Sequence, residues 1–127
     1  MSKKIIKSSR AATPVGPYSQ AISFNKILFI SGQIPIDPNS GEFICKTFIE
    51  QCHRVILNLK LILEEGGSNL EHVLKISIFM KNIKQFDELN QIYSQYFEKS
   101  KPARTCIEVS ELPKGVDLEM DAIAEVI

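Results

Sequence analysis

The chain has 127 residues and a mass of 14.3 kDa, which is enough for one domain whose core needs neither disulfides nor metals to hold it. Its composition, 44% hydrophobic and 24% charged, is typical of a soluble globular protein and excludes a disordered or fibrous chain. Fifteen basic residues balance fifteen acidic ones, so no global field attracts a polyanion, and the charge argues against nucleic-acid binding.

The sequence carries no recognisable targeting signal. The amino terminus is basic, but it is too short and lacks the apolar core of a secretory signal. No apolar run approaches the roughly 20 residues that span a bilayer. Cys45, Cys52 and Cys106 form no C-x-x-C pair, and His53 and His72 stand alone, so neither a disulfide framework nor a metal site is expected. We expect a reducing compartment, the cytoplasm, and no membrane association.

A hairpin and a helix are the first predicted elements. Two short strands in AISFNKILFIS flank Asn25-Lys26, a pair whose asparagine tolerates the left-handed backbone of a tight turn. Residues 31–43 contain Gly and Pro and are predicted as a loop. From Thr47 to Glu65, apolar residues recur at three- and four-residue steps, which predicts an amphipathic helix that ends at Gly66-Gly67.

A strand and a second helix follow. Residues 72–80, HVLKISIFM, are rich in β-branched residues and predict a strand. Its alternation places one set of side chains on the first face, namely Leu74, Ile76, Ile78 and Met80, and another on the second, namely Val73, Lys75, Ser77 and Phe79. Asn82 is predicted to cap the second helix, which Lys101-Pro102 ends. Its stripe is interpreted as core rather than as a cofactor site, and consists of Phe86, Leu89, Tyr93, Tyr96 and Phe97.

The last two predicted strands have one charged face each. In residues 102–109, Arg104, Cys106 and Glu108 alternate with Thr105, Ile107 and Val109. In residues 116–127, one face carries small and apolar side chains and the other is mostly acidic. The first of these faces comprises Leu118, Met120, Ala122, Ala124 and Val126, and the second Asp117, Glu119, Asp121, Ile123 and Glu125.

The order strands, helix, strand, helix, strands predicts one α+β domain over residues 1–127, with both helices packed on one face of the sheet. The other sheet face is expected to carry a mixed set of side chains, namely Lys75, Ser77, Arg104, Cys106 and Glu119. Such a face is either exposed to solvent or covered by another subunit and part of a site.

Three motifs, taken in order, resemble the RidA family, also called YjgF or L-PSP proteins. They are GPYSQA at residues 16–21, SGQIP at 31–35 and PARTCIEVSELPKGVDLEMDAIA at 102–124, and the resemblance extends over essentially the whole chain. It implies a chorismate-mutase-like α+β fold with a mixed sheet, and a homotrimer with clefts between subunits. It also implies the activity of a 2-iminobutanoate/2-iminopropanoate deaminase.

Such an enzyme hydrolyses reactive 2-enamine and 2-imine acids, for example 2-aminoacrylate, to 2-oxo acids and ammonia. The resemblance implies that pyridoxal-phosphate-dependent serine and threonine dehydratases release these substrates. It implies neither a metal nor an organic cofactor in the deaminase itself.

The resemblance also assigns roles to residues of the three motifs. Arg104 of the P-A-R motif is expected to bind the substrate carboxylate, a role for which the planar guanidinium fork is suited. Glu119 is expected to position the water and move protons. Tyr18 is expected to donate a hydrogen bond or a proton. Ser31 and Gly32 are expected to offer a hydroxyl and a close backbone approach to the substrate.

Other residues are expected to line the cleft. Cys106 has no histidine nearby in sequence, and imine hydrolysis needs no covalent intermediate, so we interpret it as a substrate-binding residue and not a nucleophile. Phe86 and Asn90 are expected to flank the substrate and set side-chain preference. Ile107 is a weaker candidate, because its side chain alternates away from Arg104.

Three alternatives remain open from the sequence. Arg104 and Glu119 are also compatible with a simple cross-strand ion pair. A non-catalytic module that binds a 2-oxo acid needs the same arginine. An endoribonuclease or translation inhibitor is a further alternative, against which the balanced charge argues.

Overall fold

The computed structural model describes residues 2–127 as one six-stranded mixed sheet with two helices. The elements in chain order are β1 (Lys4–Ile6), β2 (Ala21–Phe24), β3 (Ile27–Gln33), α1 (Phe48–Glu65), β4 (Val73–Met80), α2 (Phe86–Phe97), β5 (Ala103–Glu108) and β6 (Leu118–Glu125). The strand order is β1-β2-β3-β6-β4-β5, in which β4 and β5 are parallel and the other neighbours antiparallel. Within residues 2–127, no helix is long and apolar enough to cross a membrane.

The β2–β3 hairpin forms where the sequence predicts it. Asn25 and Lys26 both have positive φ, 56° and 66°, as a two-residue turn with the twist of the flanking strands requires. The loop prediction for residues 31–43 is wrong at its start, because β3 continues to Gln33. Ile30 pairs with Ala122 and Gln33 with Met120, so two residues of β3 lie opposite one of β6, and the strand contains a bulge.

Helix α1 confirms the predicted bounds. The Thr47 side chain accepts a hydrogen bond from the Glu50 backbone N–H at 3.1 Å, which caps the first turn. Glu50 in turn accepts from the Lys46 N–H at 2.8 Å. The helix ends at Gly66, whose N–H donates to Ile62. Its apolar stripe is buried, with the exception of Ile49, which is 43% exposed.

Strand β4 and helix α2 differ from prediction in detail. The pairing of β4 with β6 shifts by one residue between Val73 and Lys75. Val73 is therefore in the core at 3% exposure, and Leu74, predicted to face inward, is 45% exposed. Asn82 caps a short 3-10 turn by accepting from the Lys84 N–H, and α2 itself begins at Phe86.

Both helices pack on one face of the sheet, as the α+β prediction states. The strand residues beneath them are nearly all apolar and fully buried, and include Leu28, Ile30, Ile76, Ile78, Met80, Leu118, Met120 and Ala122. The opposite sheet face is open, with Phe29 46% exposed and with Lys75, Ser77 and Glu119 on it.

The prediction that Arg104 and Cys106 lie on this open face is wrong. In the parallel β4–β5 pair, Arg104 is opposite Ile76 and Cys106 is opposite Ile78. Paired residues point to the same side of a sheet, and both isoleucines are fully buried under the helices. Arg104 and Cys106 therefore belong to the helix-covered side, at its border.

Candidate functional site

Arg104 is held by side chains of helix α2. Its Nη1 donates a 2.8 Å hydrogen bond to Asn90 Oδ1. Its Cζ lies 5.3 Å from the ring centroid of Phe86 and 4.8 Å from that of Tyr93, within the range of cation–π interactions. We call Arg104, Asn90, Phe86 and Tyr93 the Arg104 cluster.

The spacing along α2 brings this cluster together. Phe86, Asn90 and Tyr93 are separated by four and then three residues, so they form one stripe of the helix. Strand β5 is an edge strand of the sheet. Arg104 therefore extends beside α2 without entering the core. An open groove of about 380 Å³ lies along this side, lined in part by Asn90, Tyr93 and Arg104.

Cys106 lies near Arg104 but faces the core. Its Sγ is 3.4 Å from Met80 Sδ. Burial raises the pKa of the Cys106 thiol, and the Arg104 charge opposes this rise in part. The thiol is therefore protonated at neutral pH and weakly nucleophilic.

Glu119 lies on the open sheet face, next to the bulge of β3. It is paired with Phe79 of β4. A Cβ at Gly32 would overlap the Glu119 carboxylate and lie 3.0 Å from its Cδ, so only glycine leaves the carboxylate where it is. Burial raises the pKa of the Glu119 carboxyl above its usual range, and the charge of Asp121 raises it further.

Ser31 and Tyr18 lie close to the same bulge. The Ser31 hydroxyl donates to the Ser19 carbonyl at 2.6 Å, and the Ser31 N–H donates to the Gln20 carbonyl at 3.0 Å. Tyr18 is 51% exposed and lines a small cavity together with Gly32. Tyr18, Ser31, Gly32 and Glu119 form the Glu119 cluster.

The two clusters lie on opposite faces of the sheet. Arg104 is on β5 and Glu119 on β6, and β4 separates the two strands. The alternative of a cross-strand ion pair is therefore wrong. Among residues 2–127, the one ion pair within 4.0 Å joins Arg10 to Glu64 at 3.2 Å. A single chain thus gathers the predicted site residues into two groups and does not unite them.

Tyr93 is the member of these clusters that was not predicted from the sequence as a site residue. Its position in an aromatic stripe indicates core, and it is in fact 9% exposed. Its spacing of three from Asn90 and seven from Phe86 was the available signal. Phe86 and Asn90, expected to flank the substrate, contact Arg104 itself.

Comparison with known proteins identifies the family. The Endoribonuclease L-PSP family model matches residues 8–126. A RutC family protein of Pyrococcus abyssi is 49% identical over 98% of each chain. Yeast Mmf1 has a similar crystal structure, with a TM-score of 0.95 and 35% identity over 99% of this chain and 100% of that one. A crystal structure of E. coli TdcF with bound serine has a TM-score of 0.90 and 35% identity over 98% of this chain and 99% of that one. The chain belongs to the Endoribonuclease L-PSP family, the RidA or YjgF family that its three motifs indicate.

Proposed function

We propose that this protein is a hydrolytic deaminase of the 2-iminobutanoate/2-iminopropanoate type. It converts 2-enamine and 2-imine acids such as 2-aminoacrylate to 2-oxo acids and ammonia, without a metal or organic cofactor. The observation that supports the proposal most directly is that Arg104 is held in place without a carboxylate partner in the described part of the chain. Its guanidinium is held by Asn90 and two aromatic rings, and no carboxylate among residues 2–127 lies within 4.0 Å of it.

Arg104 is assigned to the substrate carboxylate. Asn90 accepts from Nη1 alone, so the Nε–Nη2 edge of the fork is left for two parallel hydrogen bonds. Each charge-assisted bond of this kind contributes about 1.5–3 kcal/mol. The crystal structure of E. coli TdcF with bound serine supports this assignment, since serine carries a carboxylate beside a nitrogen-bearing carbon.

Glu119 is assigned to the water. The water oxygen bonds to C2 of the protonated imine, the C=N π pair moves to nitrogen, and a water proton passes to the Glu119 carboxylate. Glu119 then returns this proton to nitrogen. The C–N bond then breaks to release ammonia as the hydroxyl passes its proton to the Glu119 carboxylate and C=O forms. The released ammonia takes this proton and leaves as ammonium, which restores the Glu119 carboxylate. The raised pKa suits this exchange, in which a general acid or base contributes about 10²–10⁴-fold.

Tyr18 and the β3 bulge complete this half of the site. Tyr18 is half-exposed and free to close over a bound substrate, where its hydroxyl donates to the substrate nitrogen or a carboxylate oxygen. The Ser31 hydroxyl already donates to Ser19, so it is assigned as an acceptor towards substrate or water. Gly32 leaves room for the Glu119 carboxylate.

The complete site is assigned to clefts between subunits of a homotrimer. A head-to-tail ring in which the Arg104 cluster of one chain faces the Glu119 cluster of the next closes with three equal clefts. The open sheet face supports this assembly, because Phe29 is 46% exposed on it and Ile107 is 45% exposed on the terminal strand β5. We assign the release of the substrates to pyridoxal-phosphate-dependent dehydratases, which share the cytoplasm with this protein.

The experiment couples a serine dehydratase to this protein and follows pyruvate formation, with semicarbazide trapping residual 2-aminoacrylate. Wild type is expected to accelerate pyruvate formation and Arg104→Ala to abolish the acceleration. Arg54→Ala is the matched control, because Arg54 also donates to an asparagine, Asn58, at 3.0 Å but lies on α1. No acceleration by folded wild type would contradict the proposal for this substrate.

A 2-oxo-acid-binding module is the second candidate, favoured by the same free edge of Arg104. A substitution of Glu119 distinguishes the deaminase from the binding module. Glu119→Gln is expected to abolish turnover and to leave pyruvate affinity within about twofold, because Arg104 holds the carboxylate. A wild type that binds pyruvate but does not turn over the imine would make the protein a sensor.

RNA cleavage is the third candidate, because the family description names an endoribonuclease. Equal numbers of acidic and basic residues provide no general attraction for phosphates. We expect RNA retention on the immobilised protein to be weak and nearly independent of salt between low and physiological concentration. A steep loss with salt would indicate phosphate contacts and favour the nuclease.

A further inference from the structure

Helix α2 surrounds the guanidinium of Arg104 on several sides. Its Cζ lies over two aromatic rings, 4.8 Å from the Tyr93 centroid and 5.3 Å from that of Phe86. Asn90 binds Nη1 at one end of the fork. Nη1 is thus bound by Asn90, and the Nε–Nη2 edge of the fork makes no hydrogen bond within residues 2–127.

Tyr93 is the most firmly fixed of these three residues. It is 9% exposed, and its ring packs against Phe97 with centroids 4.6 Å apart and planes at 37°. Phe86 is only half-buried. Burial raises the pKa of Tyr93 to about 12, so its hydroxyl stays neutral and does not compete as an anion for the guanidinium. The Arg104 charge lowers this value only in part.

The hydroxyl of Tyr93 makes no hydrogen bond within residues 2–127, although it is buried. Its contribution at this position is therefore the ring and not the hydroxyl. The hydroxyl of such a tyrosine makes no hydrogen bond, and its ring contacts a binding residue. The tyrosine therefore acts through its aromatic face.

We propose that Tyr93 is a positioning residue, whose buried ring holds the Arg104 guanidinium in the orientation that receives the substrate carboxylate. The inference rests on the proposed function and deepens it. Because the carboxylate is bound equally in the ground state and the transition state, loss of the ring is expected to raise KM and to leave kcat nearly unchanged.

The test compares Tyr93→Leu, which removes the ring, with Tyr93→Phe, which keeps it. Tyr96→Leu is the control, because Tyr96 lies on the same helix but bonds to His53 Nδ1 at 2.6 Å. Tyr93→Met, whose unbranched side chain is more adaptable in a core, replaces Tyr93→Leu if that variant does not fold. The readouts are the pyruvate dissociation constant, KM and kcat in the coupled assay, and the NMR resonance of the Arg104 Nε–Hε group, assigned by its loss in Arg104→Lys.

Tyr93→Leu is expected to weaken pyruvate binding about tenfold and to move the Arg104 resonance, with Tyr93→Phe within about twofold of wild type. Equal losses in Tyr93→Leu and Tyr96→Leu, or an unmoved Arg104 resonance, would assign Tyr93 to the core alone. A wild type without turnover contradicts the proposed deaminase, and the resonance and the pyruvate affinity still decide the role of Tyr93.

Discussion

Arg104 and Glu119 lie on opposite faces of one sheet, with strand β4 between the strands that carry them. No side-chain rotation within a chain brings the guanidinium to the carboxylate, because the sheet itself lies between them. A site that uses both residues therefore needs two copies of the chain, one for each cluster.

Mixed assemblies test this directly. Arg104→Ala and Glu119→Gln are each expected to be inactive, but refolding the two together should restore activity. A cleft is intact when Glu119 comes from the first variant and Arg104 from the second, which random mixing gives in about a quarter of clefts. The measurement is pyruvate formation in the coupled assay.

Two controls are needed to interpret the activity of the co-refolded mixture. Each variant refolded alone should remain inactive, and mixing after refolding, without exchange of subunits, should restore nothing. If the co-refolded mixture is also inactive while both variants assemble, the two residues do not share a cleft between neighbouring chains.

Arg104→Lys is expected to lower kcat/KM about 100-fold although the charge is kept. A lysine ammonium cannot form two parallel hydrogen bonds to a carboxylate, and it lacks the flat guanidinium whose Cζ lies over the Tyr93 and Phe86 rings. Arg54→Lys should leave kcat/KM within about twofold, since Arg54 lies on α1. Steady-state kinetics of both variants decide the point, and an Arg104→Lys enzyme near wild-type activity would show that charge alone is sufficient.

Gly32→Ala is expected to lower kcat about tenfold while the protein stays folded. The added Cβ meets the end of the flexible Glu119 side chain and not backbone, so the carboxylate moves and the strand does not. The check is a double-mutant cycle with Glu119→Asp, which keeps a carboxylate and measurable turnover but whose shorter side chain draws that carboxylate back from position 32. Gly32→Ala should cost nothing further in that background, whereas equal losses in both backgrounds would show that Gly32 acts independently of Glu119.

The stability of the protein is expected to depend on pH through Glu119. Burial raises the pKa of this carboxyl in the folded chain, so the folded state binds more protons than the unfolded state from about pH 4.5 up to the raised value. Across that window, rising pH lowers the free energy of unfolding, since the folded state must bury a charge that the unfolded state exposes to water.

Glu119→Gln removes this dependence. The variant is expected to be more stable than wild type at neutral pH, and the difference should vanish as pH falls below the unfolded pKa. Denaturant unfolding of both proteins from pH 4 to pH 8 gives the comparison. A difference that is constant across this range would indicate that the gain comes from packing and not from the charge.

Local signals predicted much of the fold. The Asn25-Lys26 turn and helix α1 depend on contacts within a few residues, namely positive φ at the turn, the Thr47 cap and the apolar stripe. The bulge at Val73 was not predicted, because it is a property of the pairing between β4 and β6, and neither strand encodes it alone. The end of β3 beyond Ile30 was missed because Ser31 and Gly32 are residues typical of loops.

The candidate site likewise depends on strand pairing that the sequence pattern does not reveal. Alternation correctly groups Arg104 with Cys106, but it does not say which side of the sheet the helices cover. That assignment depends on the pairing of Arg104 with Ile76, a contact across 28 positions of sequence. A charged residue is tolerated on the helix side because β5 is an edge strand. Arg104 can therefore contact α2 and remain in contact with solvent.

The bulge in β3 also bears on how this chain can change in length. Ile30 and Gln33 both point to the helix side only because one extra residue lies between them opposite β6. Deleting either Ser31 or Gly32 would leave one residue opposite Asp121 and convert the bulge into regular pairing, with Ile30 and Gln33 still on the helix side. The deletion would remove the bulge that places Gly32 against the Glu119 carboxylate. Related chains are therefore expected to gain and lose residues in the exposed turn near Asn39 and Ser40, and to keep a fixed count between Ile30 and Gln33.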